Sequence, residues 1–203
     1  GETGTLANAL VGHYPELAGI GYSPREPGLV HRLDTDTSGL VLVARTAAVF
    51  DSLKDALKAE RIEKTYELVC SSEGLPGHGT IEMPLAKHPK DQRRVYACAH
   101  PRDVARYSPR PAKTDYKVLR VVGRWALVEV HVSRALRHQI RAHFAAIDHP
   151  LAGDTLYGGA EVRALGRHAL HAARIVYAGG DGVPPLDVRS PLPPPMASLV
   201  AEG

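Results

Sequence analysis

The sequence predicts an α+β fold: a mixed, mostly antiparallel sheet with flanking helices. Three observations carry this. Between Thr80 and Val132, short apolar and β-branched runs follow one another through Gly, Pro and charged turns, as hairpin-connected strands do. Helical periodicity is confined to a few segments, so strands and helices do not alternate as a parallel doubly wound sheet requires. With 44% hydrophobic content over 203 residues, the chain can bury one sizeable core, which predicts a single domain over 1–203.

The elements follow in order. Leu6, Ala9, Leu10 and Ala18 fall at helical spacing, and Pro15 ends or kinks that helix near Tyr14. A turn-rich linker, Gly19 to Pro27, leads to the apolar run Gly28-Leu29-Val30. The strand-like run Leu40 to Ala44 comes ten residues later. Between the two lies His31-Arg32-Leu33-Asp34-Thr35-Asp36-Thr37-Ser38-Gly39-Leu40, which places Asp34 at a bend. Thr46 is an N-cap for a helix through about Ala59, with Val49, Phe50, Leu53, Ala56 and Leu57 on one face. Strands are expected at Lys64 to Cys70, Thr80 to Met83, Arg94 to Ala97, Thr114 to Val122 and Trp125 to Val132.

Ser133 offers the N-cap of a helix from Arg134 to Ile147, stopped by Asp148-His149-Pro150. A loop over Gly153 to Gly159, a short helix over Glu161 to Gly166 and a final strand over Leu170 to Ala178 complete the sheet. Pro184, Pro185, Pro191 and Pro193 to Pro195 predict an extended tail. No internal repeat of fixed period is present.

Composition narrows the function classes. Twenty-five Lys and Arg against 22 Asp and Glu give a net charge of +3, which permits nucleic acid binding without demanding it. Two cysteines, Cys70 and Cys98, are too few for a disulfide framework or a four-cysteine zinc site and suit a reducing cytosol. No signal-peptide pattern opens the chain, and no run approaches the roughly 18 apolar residues of a membrane span, so a soluble cytoplasmic protein is expected. His138, His143 and His149 lack the His-Glu-x-x-His spacing, so no metal is expected.

Three readings of the decapeptide stand side by side. Asp34, Thr35, Asp36, Thr37 and Ser38 can simply satisfy a turn through side-chain to backbone hydrogen bonds. Asp34-Thr35-Asp36-Thr37 also half fits the Asp-x-Asp-x-Thr nucleophile of phosphotransferases, although His31 and Arg32 stand where that motif needs a buried parallel strand. The third reading joins distant segments: His31-Arg32-Leu33-Asp34, Lys64-Thr65-Tyr66, Arg137-His138-Gln139-Ile140-Arg141 and Gly153-Asp154-Thr155-Leu156-Tyr157-Gly158. In order and spacing these resemble the RluA-type pseudouridine synthases. Ala112-Lys113-Thr114-Asp115-Tyr116, His168-Ala169-Leu170-His171-Ala172 and Ser190-Pro191-Leu192-Pro193 extend the resemblance over nearly the whole chain.

The resemblance implies a pseudouridine synthase fold and isomerisation of specific uridines in RNA, ribosomal RNA ahead of transfer RNA. It implies no cofactor and no metal, and the chain is expected to act as a monomer. Asp34 is then the catalytic carboxylate, Tyr66 the stacking ring and candidate base, and Arg141 the cation that keeps Asp34 ionised. Arg32 takes the role of filling the gap left by a flipped nucleotide, and His31, Lys64, Arg137, His138 and Gln139 are expected RNA contacts. Two departures are visible. Ala135-Leu136-Arg137 stands where the family shows Gly-Arg-Thr, so Arg137 or Arg134 is expected to supply that charge. The family's usual first strand, with its Lys-Pro segment, and any N-terminal RNA-binding module are expected to be lacking before Thr5. The rival from another class is an RNA-binding protein of the same fold that performs no chemistry.

Overall fold

In the computed structural model, which describes residues 3–132 and 135–201, the elements run as follows. α1 (Leu6–His13) ends at Tyr14, and β1 (Ser38–Gly39) precedes α2 (Ala47–Lys58). Then come β2 (Ile62–Ser71), β3 (His78–Glu82), β4 (Leu85–Lys87), β5 (Val95–Ala97) and α3 (Pro101–Tyr107). β6 (Lys113–Val122) and β7 (Trp125–His131) lead to α4 (Gln139–Ala146), and the chain closes with β8 (Leu170–Tyr177), β9 (Leu186–Arg189) and α5 (Pro194–Leu199).

The main sheet has the order β1-β8-β2-β7-β6-β3, with β9 also pairing with β8. Only β1 to β8 is parallel; every other pair is antiparallel, so the sheet is mixed as expected. β4 and β5 form a separate small hairpin. On one face Tyr66, Leu68, Cys70, Val128 and Val130 pack against Ile140 and Phe144 of α4. Ile62, Ile175 and Tyr177 bury Phe50, Leu53 and Ala56 of α2. Val69 and Leu127, which point the other way by strand alternation, pack against Met196 and Val200 at the C-terminal helix. No helix among the described residues is long and apolar enough to cross a membrane.

Local signals account for most elements. Thr5 and Asn8 form a reciprocal capping box on α1, and Thr46 Oγ1 accepts from the Val49 N–H, 3.3 Å, to start α2. Four expectations change. Leu40 to Ala44 is not a strand, because its amides go to scattered partners: Leu40 N–H donates to Ala172 O (3.0 Å), Leu42 N–H to His31 Nε2 (3.0 Å) and Ala44 N–H to Gly28 O (2.8 Å). The helix expected from Arg134 begins at Gln139, because His138 adopts a left-handed backbone with φ of 51° that no α-helix continues through. Its expected cap, Ser133, lies outside the described residues.

Glu161 to Gly166 is a turn rather than a helix, closed by a Leu165 N–H to Val162 O bond of 2.9 Å and ended by Gly166 at φ 62°. The tail is not uniformly extended. β9 pairs with the second half of β8, and α5 starts with Pro194 at a position where a missing N–H costs nothing. α3 was not foreseen either; His100 Nδ1 caps it by accepting from the Arg102 N–H at 3.1 Å.

Candidate active site

Asp34 opens a tight turn in which the Thr37 N–H donates to Asp34 O at 3.0 Å, with Asp36 held at φ 72°. The turn is riveted to the start of β8 and the residues before it. Thr37 Oγ1 and His168 Nε2 lie 2.7 Å apart, and Arg167 donates to Asp36 O (3.0 Å) and Ser38 Oγ (2.9 Å). Having accepted from Arg167, the Ser38 hydroxyl donates to His171 Nδ1 at 2.8 Å. Gly39, at φ 113°, lets the chain pass so close to β8 that a Cβ there would sit 2.3 Å from Ala172 O. Asp36 therefore shapes the turn, and Asp34 is free to face the cleft.

Tyr66 reaches the same cleft from β2. The register between β2 and β8 slips between Thr65 and Tyr66, with Thr65 opposite Arg174 and Tyr66 opposite Ala172. Such an irregularity re-aims a side chain. Tyr66 is 5% exposed, and it lines a cavity of about 180 Å³ with Arg32, Leu33, Asp34 and Ile140. Burial, with the Asp34 charge adding to it, pushes the phenol up to about 12. Tyr66 is therefore a protonated phenol at neutral pH.

Arg141 comes from the first turn of α4. Its Nε and Nη2 donate to Asp154 at 2.6 and 2.8 Å, and its remaining Nη1 lies 3.8 Å from Asp34 Oδ2. The guanidinium is buried, and the carboxylates of Asp154 and Asp34 outweigh that burial to raise its pKa further. His138 Nε2 lies 4.0 Å from the same Asp34 Oδ2. A second, more polar cleft of about 450 Å³ adjoins the first and is lined by Arg93, His138, Arg141, Asp154 and His168. Asp34, Arg32 and Arg137 line both cavities. The three residues expected to carry chemistry, Asp34, Tyr66 and Arg141, thus meet at one place although 107 positions separate the first from the last.

The expected RNA contacts divide. Arg32 is exposed at the junction of the two cavities. Arg137 lines both, while its guanidinium also donates to Gln92 O (3.2 Å) and Arg93 O (2.9 Å) and so ties the β4–β5 loop to the cleft. Three others turn inward, which corrects the expectation. His31 accepts from the Leu42 N–H, and burial lowers its pKa to about 4, so it is a neutral brace with no charge for a phosphate. Lys64 is only 9% exposed, on the Tyr66 side of β2, with its pKa lowered by burial. Gln139 is 2% exposed and spends its amide on Leu136 N–H, Lys113 O and Thr114 Oγ1.

Asp154, Tyr157, Arg167 and His168 had no assigned role in the sequence. The segment Gly153 to Gly158 signalled Asp154 and Tyr157, and the segment His168 to Ala172 signalled His168. Among the described residues no group of three or more His, Cys, Asp or Glu side chains is placed to hold a metal ion.

The sequence pattern of the family described as RNA pseudouridylate synthase matches residues 21–146. The chain belongs to that family. It is 40% identical over 171 residues to a Chloroflexus aurantiacus protein named as an RNA pseudouridine synthase, covering 84% of this chain and 51% of that protein. It is 33% identical over 211 residues to the Escherichia coli K12 ribosomal large subunit pseudouridine synthase D, covering 97% of this chain and 60% of that one. The chain thus spans between about half and three-fifths of the length of these relatives.

Among solved structures, human RNA pseudouridylate synthase domain containing 1 superposes with a TM-score of 0.71 at 24% identity, over 92% of this chain and 74% of that one. Human RNA pseudouridylate synthase domain containing 4 gives 0.67 at 20% identity, over 93% and 80%. At these identities the match establishes the fold. The RNA pseudouridylate synthase family is therefore supported at three levels in this chain: sequence pattern, curated relatives and architecture.

Proposed function

We propose that this chain isomerises uridine to pseudouridine in RNA, with ribosomal RNA the favoured substrate over transfer RNA. The observation that carries the reading is that Asp34 lines two adjoining cavities, one of which it shares with Tyr66 and the other with Arg141. The ribosomal preference is supported by the name of the Escherichia coli relative. Acting as a cytoplasmic monomer is part of the same proposal, as is the boundary of one catalytic domain over 1–203.

The reaction breaks the N1–C1′ bond, rotates the uracil, joins C5 to C1′ and releases the C5 proton. It is redox-neutral and balances without a cofactor. Asp34 supplies the carboxylate that attacks or supports the sugar, as carboxylates do in glycosidic chemistry. Arg141 places a positive charge 3.8 Å from Asp34 and, unlike a lysine, holds that charge in a partly desolvated site. Tyr66 offers the uracil a ring to stack on. Because its proton is tightly held, it takes the C5 proton only as its own is passed to water, and N1, freed from the sugar, takes up one proton, so the isomerisation balances. Arg32, exposed beside Asp34, fills the space a flipped nucleotide vacates, and Arg137 faces the backbone.

The test is release of tritium from C5-labelled uridine in ribosomal and transfer RNA, comparing wild type with Asp34→Ala. Release by wild type and its loss in the variant are expected. Equal release from both sinks the assignment of Asp34, and RNA binding with release from neither favours a binding protein of the same fold.

A further inference from the structure

Two N–H-bearing groups face Asp34 at more than hydrogen-bond distance. Arg141 Nη1 is 3.8 Å and His138 Nε2 4.0 Å from Oδ2, and no side-chain hydrogen bond from the described residues reaches either carboxylate oxygen. What fixes the two donors lies one layer out, on the loop Gly153 to Gly158. Asp154, buried, engages two of the three guanidinium nitrogens of Arg141, Nε and Nη2, and leaves Nη1 as the one that faces Asp34. Tyr157, also buried, acts on His138. The Val95 N–H donates to the Tyr157 oxygen at 2.8 Å, which leaves the phenolic proton for His138 Nδ1 at 3.0 Å. With Nδ1 accepting, the neutral imidazole must carry its proton on Nε2, the nitrogen that faces Asp34.

The placement is enforced. His138 sits at φ 51°, a backbone conformation that a non-glycine residue keeps only where its surroundings hold it. The Arg141 guanidinium lies 5.1 Å above the Tyr157 ring, so the two supports also brace each other. The loop is anchored at its start by Gly153, where φ is 75° and a Cβ would lie 2.2 Å from Arg167 O. Burial keeps Tyr157 a phenol, and burial lowers the His138 pKa, with Arg141 and Arg137 adding to this and Asp34 opposing it.

We infer that Asp154 and Tyr157 are positioning residues that hold Arg141 and His138 facing the Asp34 carboxylate while leaving its oxygens open to the substrate. Asp154 does this by restricting a cation to one free nitrogen, and Tyr157 by choosing a tautomer. The inference rests on Asp34 being the catalytic carboxylate.

Two measurements test it on the full chain. Long-range ¹H–¹⁵N spectra of the His138 ring, at a pH where it is neutral, are expected to show Nδ1 unprotonated in wild type and a mixture of tautomers in Tyr157→Phe. Single-turnover assays on RNA are expected to show kcat lowered on the order of 10-fold in Tyr157→Phe and in Asp154→Asn, with KM within about 2-fold of wild type. If Asp154→Asn does not fold, as judged by thermal unfolding, Tyr157→Phe carries the test alone. An imidazole spectrum unchanged in Tyr157→Phe, or a kcat unchanged in every variant that folds, overturns the inference. So does a rise in KM with kcat preserved. If Asp34→Ala retains tritium release, the functional reading fails instead, and the imidazole spectrum reports that separately.

Discussion

Lowering the pH from about 7.5 to about 5 is expected to weaken this fold mainly through histidines that are buried neutral around the Asp34 turn. Burial lowers His31 and His168 from the ordinary 6.5 to about 4, Arg141 adding to the effect at His168. The native state thus resists protonation that the unfolded chain accepts. Stability from these groups is fully present above the unfolded value of 6.5 and is lost as pH falls toward 4. A shift from 6.5 to about 4 corresponds to about 3 kcal/mol per group, lost in full only once the pH is low enough to protonate the folded state as well, and about 2 kcal/mol of that is gone at about pH 5. The two together give about 4 kcal/mol, a large share of the ~5–15 kcal/mol that holds a typical domain. Urea unfolding followed by Trp125 fluorescence at the two pH values measures it. His31→Gln and His168→Gln, which do not titrate, should each lose about 2 kcal/mol less than wild type over that interval. A wild-type stability flat across the interval, or variants with the wild-type pH dependence, refutes the reasoning.

Three further outcomes are expected. Gly39→Ala drives a Cβ into Ala172 O at a positive φ, so it should lower stability by more than about 2 kcal/mol and depress tritium release; thermal unfolding and the release assay check both. Gln139→Leu strands the Leu136 N–H and takes a donor from the Lys113 carbonyl, while the Thr114 hydroxyl keeps His143 Nδ1 at 2.8 Å; it should cost about 2 kcal/mol in urea unfolding while leaving the salt dependence of RNA binding unchanged. Arg32→Ala should weaken RNA binding and reduce the slope of log affinity against log salt by about 1, as read by filter binding over a salt series.

The elements legible in the sequence are those whose signals are local. Thr46 followed by an apolar stripe marks α2, and the Val122-Gly123-Arg124-Trp125 turn between β-branched runs marks the β6–β7 hairpin. α4 was placed but begun too early, since nothing in Arg137-His138-Gln139 announces that His138 will take a left-handed backbone. β9 is four residues long and is secured by Arg174 donating to Asp187 at 2.7 Å, a partner chosen across the sheet rather than along the chain.

The site shows the same division. Asp34, Tyr66 and Arg141 were legible because their surrounding segments carry recognisable spacing. His31 and Gln139 sit in those same segments, yet spacing does not say which way a side chain turns, and both are consumed inside. Arg167 and His168 were illegible as loop clamps, because their partners Asp36 and Thr37 lie 131 positions away.

That clamp has a consequence for how the protein is made. The Asp34 turn leaves the ribosome well before the carbonyl of Ala172 that receives Leu40 and the Arg167 and His171 groups that hold Ser38, which lie about 130 residues further along the chain. A nascent chain therefore carries its carboxylate long before it carries the seat for it. A protein truncated before β8 would have the decapeptide and Tyr66 without their alignment, so the geometry of the cleft is completed in one step, with the closing of the sheet.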